Sequence, residues 1–242
     1  MENLLLKVAR AEVDMYPINI CMNGCQAAIF GGGAVALRKL RRLLEEEASV
    51  ILVAPKIVPE LNLLLQELSE KKLQWQQCTH REFNWQQGHF RLVFAATDSR
   101  EANHEISIMA HAHGALVNNV TEPEECDFHV PARIRRGHLE LTASTGGDSP
   151  AFAKLLRQDL ERRYHDGFGV FLDWLAQRRS ELWQRESDTV KRQKIWRQIM
   201  TPEIFNNILN HRLEQAENEI RRKIDCAGAE SSDSSCGDSR KI

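Results

Sequence analysis

Gly31, Gly33 and Ala36 stand in the spacing G-x-G-x-x-A, directly after the apolar run Ala27-Ala28-Ile29-Phe30 and before a stretch of helical periodicity. In that spacing Gly31 permits a tight turn and Gly33 lets the backbone approach a pyrophosphate. Ala36 allows close packing, and the helix N-terminus attracts the phosphate charge. The strand, turn and helix context favours a dinucleotide site over a glycine turn without a ligand. One part of the fingerprint is missing. The second strand ends in Ala54-Pro55-Lys56, where a ribose-binding Asp or Glu usually sits, so NAD and NADP are not distinguished there. Lys56 leaves room for a 2′-phosphate, although a solvated surface lysine is the plainer reading.

Two further segments carry usable chemistry. Ser144-Thr145-Gly146-Gly147-Asp148-Ser149-Pro150 is a polar glycine turn opening a helix, and such a turn can present backbone N–H groups to an anion. A helix cap and nothing more fits it equally well. Arg133, Arg135 and Arg136 lie in HVPARIRRGHL, where guanidinium forks could grip carboxylates. A solvated basic loop is the alternative.

The elements that must position these residues follow from the apolar pattern. From residue 16 to about residue 120, short apolar runs alternate with amphipathic stretches, the βαβ signature of a parallel sheet. Strands are expected at Ala27–Phe30 (entered from an Asn23-Gly24 turn), Val50–Val53, Leu73–Gln76 and Leu92–Ala96, and helices from Ala34 towards Glu46, from Val58 to Lys71, and from near Glu101 after a Thr97-Asp98-Ser99 cap. After Asn118, prolines and glycines punctuate short strands such as His138–Thr142. From Ser149-Pro150 the pattern is helical, Ser149 being an N-cap with proline at the first helical position, and Thr201-Pro202 repeats the device.

These readings divide the chain into an N-terminal extension (1–15), a dinucleotide-binding domain (16–118), a central β segment (119–148), a helical domain (149–222) and a disordered Ser-rich tail (223–242). The 32 basic and 34 acidic residues leave a formal charge of −2, so no overall field recruits nucleic acid or an anionic membrane. No apolar run is long enough to span a bilayer and the opening residues do not read as a signal peptide, which points to the cytoplasm. Cys21 and Cys25 are expected in and just after a short strand, as free thiols, and no cysteine spacing suggests a metal site.

Taken in order, YPINICMNGCQAAIFGGGAVALRK, FAATD and VNNVTEPEECDFHVPARIRRGHLELTASTGGDSPAFAKLLR resemble the precorrin-2 dehydrogenase and sirohydrochlorin ferrochelatase family, from about Tyr16 to about Met200. The resemblance implies an α/β fold: a Rossmann-like NAD-binding domain, a central β segment that dimerises and a C-terminal helical domain, with the tetrapyrrole between them. It implies NAD-dependent oxidation of precorrin-2 to sirohydrochlorin by a homodimer. Dinucleotide contacts would fall at Gly31, Gly33, Ala34, Val35, Pro55, Lys56 and Thr97. The carboxylate-rich tetrapyrrole would meet Asn118, Arg135, Arg136, Ser144, Thr145, Gly146 and Gly147. No methyltransferase domain is present, so the precorrin-2 would be made elsewhere.

One departure matters. Thr121 in NNVTEP takes the place of an aspartate that the family uses for dehydrogenation and metal insertion, and a neutral hydroxyl is a poor general base. Thr121, its neighbour Glu122 and His129 in CDFHVP are therefore the catalytic candidates, with His129 packed in a strand as the alternative for that residue. Hydride transfer depends mostly on placement, whereas insertion of Fe²⁺ requires two pyrrole protons to leave. Retained dehydrogenase and weak ferrochelatase activity are expected, with Fe²⁺ a partner only if chelation survives. The alternative is a non-catalytic carrier or regulator. A nucleic-acid-binding module, suggested by the arginines of the helical part, is disfavoured by interleaved acids.

Overall fold

A computed structural model of the chain describes residues 15–232. Of the N-terminal extension only Met15 falls among them. The contacts divide the chain into two units, with the boundary between Val130 and Pro131.

The first unit is a Rossmann-like α/β domain. Five parallel strands, β1 (Gln26–Phe30), β2 (Ser49–Val53), β3 (Leu73–Gln76), β4 (Phe90–Ala95) and β5 (Leu116–Asn119), are ordered β3-β2-β1-β4-β5. The central strands β1, β2 and β4 are buried on both faces, as parallel sheets require, while the edge strand β3 is buried chiefly at Leu73. Ala27 and Ile29 of β1 point to one side, with Val50, Leu52 and Phe94, and meet Ala36, Leu40 and Leu43 of α1 (Ala34–Glu45) and Leu61 of α2 (Pro59–Glu67). Ala28 and Phe30 point to the other, where Ile106 and Ala110 of α3 (Arg100–Ala112) cover them. Each Leu or Ile so buried contributes roughly 1.5–3 kcal/mol.

Several elements depart from the sequence expectation. Cys21 lies in irregular chain before the sheet and Cys25 immediately precedes β1, so neither occupies a strand. α2 ends at Glu67 because Leu68 turns extended to feed β3. Phe83 and Trp85 close one end of the sheet by stacking edge and face on Phe30, with ring centroids 5.1 and 5.2 Å away.

The outer edge of β5 is sealed by the segment that follows it. Asp127 gives its N–H to Val117 O (2.9 Å) and takes the Val117 N–H on its carboxylate (2.7 Å), while Cys126 Sγ takes the Asn119 N–H (3.2 Å). Burial pushes the Cys126 thiol up, so it stays protonated and donates to Asn119 O. The Phe128 ring packs edge-on against Phe94, 5.4 Å away. The CDF triplet is thus a side-chain substitute for another strand.

The second unit combines an antiparallel hairpin, β6 (Ala132–Arg136) with β7 (Leu139–Ala143), and five helices: α4 (Pro150–Arg163), α5 (Gly167–Arg185), α6 (Thr189–Ile199), α7 (Pro202–Leu209) and α8 (Leu213–Ser232). Phe168, Phe171, Ile199, Ile204, Ile208 and Ile220 form its core. The hairpin turn at Gly137 sits so close to Gly169 that a Cβ on either would press on the other's backbone. α8 runs on to Ser232, past the point at residue 223 where the sequence suggests disorder; residues 233–242 lie outside the described set. Ser149 caps α4 as expected, accepting the Phe152 N–H at 3.2 Å, whereas Thr201 makes no such bond to α7. No helix among the described residues is long and apolar enough to cross a membrane.

Candidate functional site

The strand order reverses at β1, where the chain winds outward through β2 and β3 and then returns to β4 on the other side. In open parallel sheets, ligands bind at such a switch point, beyond the carboxyl ends of the strands. The glycine turn lies there. Gly31 has φ +124°, and a Cβ on it would stand 2.2 Å from Ala96 O, so β4 tolerates only glycine beside it. A Cβ on Gly32 would meet Lys56 O at 2.0 Å, because the loop after β2 lies directly on the turn and Val58 N–H bonds Gly32 O. Gly33 is different. Its backbone is ordinary (φ −95°), nothing lies within 4 Å of where its Cβ would be, and as the N-cap of α1 it offers no side chain to the first N–H groups. That open, uncapped helix start is a cradle for an anion.

Pro55, Lys56 and Thr97 lie at the carboxyl ends of β2 and β4, beside the turn, so the whole expected dinucleotide set occupies one edge of the sheet. Thr97 is held by Asn103, a fully buried residue of α3 whose Oδ1 takes both the Thr97 N–H (3.0 Å) and its hydroxyl (2.7 Å).

The catalytic candidates sit at the end of β5. Asn119 Oδ1 accepts from Thr121 N, Thr121 Oγ1 and Glu122 N, at 3.0, 2.9 and 3.2 Å, while Thr121 Oγ1 accepts from Asn103 Nδ2 at 3.3 Å. The threonine hydroxyl is therefore engaged as donor and acceptor. Glu122 forms an ion pair with Arg100 at the start of α3. His129 is half-buried, and its ring has no hydrogen-bond or ion-pair partner among the described residues. It lies in irregular chain, outside any strand. Asn118 is 7% exposed and committed internally, donating to Phe128 O (3.0 Å) and accepting from Lys39 Nζ (3.0 Å).

In the second unit Arg136 is spent on the end of α4, bonding Tyr164 O (2.9 Å) and pairing with Asp166 (3.0 Å), while Arg135 is exposed. The Ser144 and Thr145 hydroxyls accept from Gly146 N and Ser149 N, at 3.3 and 3.2 Å, which fixes the polar turn with Gly146 and Gly147 at positive φ. The helical arginines are mostly neutralised: Arg157 pairs with Glu161, Arg162 and Arg163 with Asp159, Arg178 with Glu181, while Arg179 and Arg192 lie over Trp183. No cluster of metal-ligating side chains occurs among the described residues.

Lys39, Asn103 and Asn119, the residues that organise this edge, were not singled out by the sequence reading. Lys39 enters only as the last residue of the segment YPINICMNGCQAAIFGGGAVALRK. A buried asparagine has no periodic signature.

Residues 18–132 match a family model described as NAD(P)-binding. The chain is similar to the siroheme synthase of Nitrosococcus oceani (32% identical over 86% of this chain), that of Mannheimia succiniciproducens (28% over 88%) and that of Pseudomonas paraeruginosa (32% over 88%). It spans 44% of the length of each. Among solved structures it is similar to SirC, a precorrin-2 dehydrogenase, at 20% identity with a TM-score of 0.67, covering 86% of this chain and all of that one.

Proposed function

We propose that this chain, homologous over most of its length to siroheme synthases, binds a nicotinamide dinucleotide at the carboxyl edge of its parallel sheet and oxidises precorrin-2 to sirohydrochlorin. The observation that carries the reading is the glycine turn: two glycines forced by backbone contacts and a third left open at an uncapped helix start. The likeness to siroheme synthases, and in fold to SirC, supports a tetrapyrrole of siroheme synthesis as the substrate.

The reaction passes a hydride to NAD⁺ and releases one proton. When bound, the nicotinamide supplies the hydride acceptor. Gly31, Gly33, Ala34 and Val35 would hold the pyrophosphate, and Pro55 and Lys56 the adenosine side, where the missing carboxylate leaves NAD and NADP open. The network of Asn103, Asn119, Thr97 and Thr121 keeps the ends of β4 and β5 rigid, which placement of donor and acceptor requires. With Thr121 and Glu122 committed, His129 is the group left to take the proton. Arg135 and the Ser144–Gly147 turn would meet the substrate carboxylates. Chelation needs a base for two pyrrole protons, so ferrochelatase activity is weak and Fe²⁺ is not an efficient co-substrate.

The active species is a homodimer. A two-stranded sheet is marginal alone, and α4 beside it has no buried residue and leaves Phe152 54% and Leu155 60% exposed, as a face awaiting a second copy would. Light scattering of the purified protein checks this.

Formation of NADH from NAD⁺ and precorrin-2 by wild type, lost in His129→Gln with dinucleotide binding intact, is the expected result. Dinucleotide binding without any turnover would instead establish the carrier reading, which the engaged Thr121 and Glu122 favour. Insertion of Fe²⁺ or Co²⁺ into sirohydrochlorin well above the protein-free rate would overturn the assignment of weak chelation.

A further inference from the structure

Lys39 lies in the second turn of α1, the helix that opens on the glycine turn. Its Nζ donates to Asn118 Oδ1 at 3.0 Å and stands 5.2 Å from the centroid of the Phe94 ring. Asn118, oriented by that bond, gives its Nδ2 to Phe128 O at 3.0 Å. The ammonium therefore braces α1 against the end of β5 and the chain that follows it. No carboxylate pairs with it among the described residues. As a purely structural part this is a costly choice, because a half-buried cation without an anion is less favourable than an apolar side chain of the same length.

The location of the charge suggests its use. Lys39 is five residues from Ala34, about 7.5 Å along the axis, and helical side chains tilt back towards the N-terminus. The ammonium thus lies roughly one turn behind the open helix start. We infer, resting on the dinucleotide-binding reading, that Lys39 is a proton-linked positioning residue: its ammonium holds α1 against Asn118 and adds positive charge behind the pyrophosphate cradle. The anionic dinucleotide then binds the protonated protein more tightly than the deprotonated one.

Burial holds Lys39 down to about 8, and the charges of Arg38 and Arg42 on the same helix act in the same direction; the Cys126 thiol nearby opposes them only once it ionises, and its own burial pushes that up. β4 and β5 present Phe94 and Asn118 to it, both uncharged. A ligand that prefers the ammonium raises this pKa on binding and draws in part of a proton, so affinity is highest below pH 8 and falls as the amine deprotonates. At about 8 Å in a water-like medium, one charge against a doubly charged pyrophosphate changes Kd roughly fivefold.

The test is calorimetric titration of the full chain with NAD⁺ and with NADP⁺, between about pH 7 and pH 9.5, in buffers of different ionisation enthalpy. Wild type is expected to show a roughly fivefold rise in Kd over that range, with proton uptake on binding near pH 8. Lys39→Gln should bind more weakly at pH 7 and show no rise, while Lys39→Arg, charged throughout, should bind tightly at both ends. Thermal melts establish that the variants fold, and wild type against Lys39→Arg carries the test if Lys39→Gln does not. A flat wild-type profile, or a pH slope surviving in Lys39→Arg, overturns the role of Lys39 and leaves the dinucleotide reading intact. Failure of wild type to bind either dinucleotide overturns both.

Discussion

Replacing Gly33 by aspartate separates folding from binding at one atom position. Gly33 has an ordinary φ of −95° and open space around its missing Cβ, so a side chain enters without strain. Aspartate is also a better N-cap than glycine by a few tenths of a kcal/mol, and its carboxylate would take an N–H at the start of α1. Stability should therefore hold or rise slightly. Binding should collapse for the same reason, because the cap removes an N–H from the pyrophosphate and puts a like charge in its seat. One charge-assisted hydrogen bond is worth about 1.5–3 kcal/mol, and repulsion at about 4 Å near a protein surface adds up to about 4 kcal/mol. Discounted for solvent and ligand adjustment, the loss is about 3–4 kcal/mol, or a Kd raised several hundredfold. Urea denaturation measures the first quantity and calorimetric titration with NAD⁺ the second. If Gly33→Asp bound NAD⁺ within threefold of wild type while folding normally, the pyrophosphate would not lie on the α1 N-terminus and the site would have to be placed elsewhere.

Gly32→Ala should do the reverse, since its Cβ would meet the backbone oxygen of Lys56 at 2.0 Å; about 2–3 kcal/mol of stability is lost in urea denaturation. Asn103→Ala leaves the half-buried Thr97 N–H and hydroxyl short of a partner and takes a donor from the Thr121 hydroxyl, costing about 1–3 kcal/mol in the same measurement and lowering kcat for precorrin-2 more than it raises KM. Hydrogen bonds from Arg81 and then His80 hold Glu105 down to about 2, from an ordinary 4.5. Because the folded pKa lies below the unfolded one, this stabilisation is complete above about pH 4.5 and lost as pH falls towards 2. Glu105→Gln should accordingly narrow the stability gap between pH 6 and pH 3, seen as a smaller shift in denaturation midpoint.

Much of the first unit was legible because its cause is local. β1, β2 and β4 are mostly apolar runs, and a strand buried on both faces needs little else to be recognised; β3, where Leu73 and Trp75 alternate with glutamines, appears at the predicted residues. The glycine turn was legible for the same reason, as was Ser149 with Pro150. What escaped depends on partners distant in sequence. The Asn118 side chain is a candidate substrate contact by resemblance, and the hydrogen bond it accepts from Lys39, 79 residues away, has no local signature. The bond from the Arg136 guanidinium to the end of α4, 28 residues on, likewise has no local signature. The chemistry of Thr121 suggests a weak base, and Asn103 and Asn119, which occupy its hydroxyl, are partners that its own segment does not announce. The domain boundary moved from residue 118 to Val130 because the CDF segment, irregular in sequence, bonds back onto β5.

That same bonding bears on how the protein behaves in a crowded cell. A parallel sheet with a bare outer strand is a template on which other chains can grow, and natural proteins commonly guard such edges with charge, proline or a covering helix. Here one carboxylate, one thiol and one ring do the guarding, over only four residues of strand. Protection from misassembly thus rests on three consecutive side chains next to the catalytic candidates. Damage to any of them, by substitution or by oxidation of Cys126, would register as aggregate during expression before it registered as a slower enzyme.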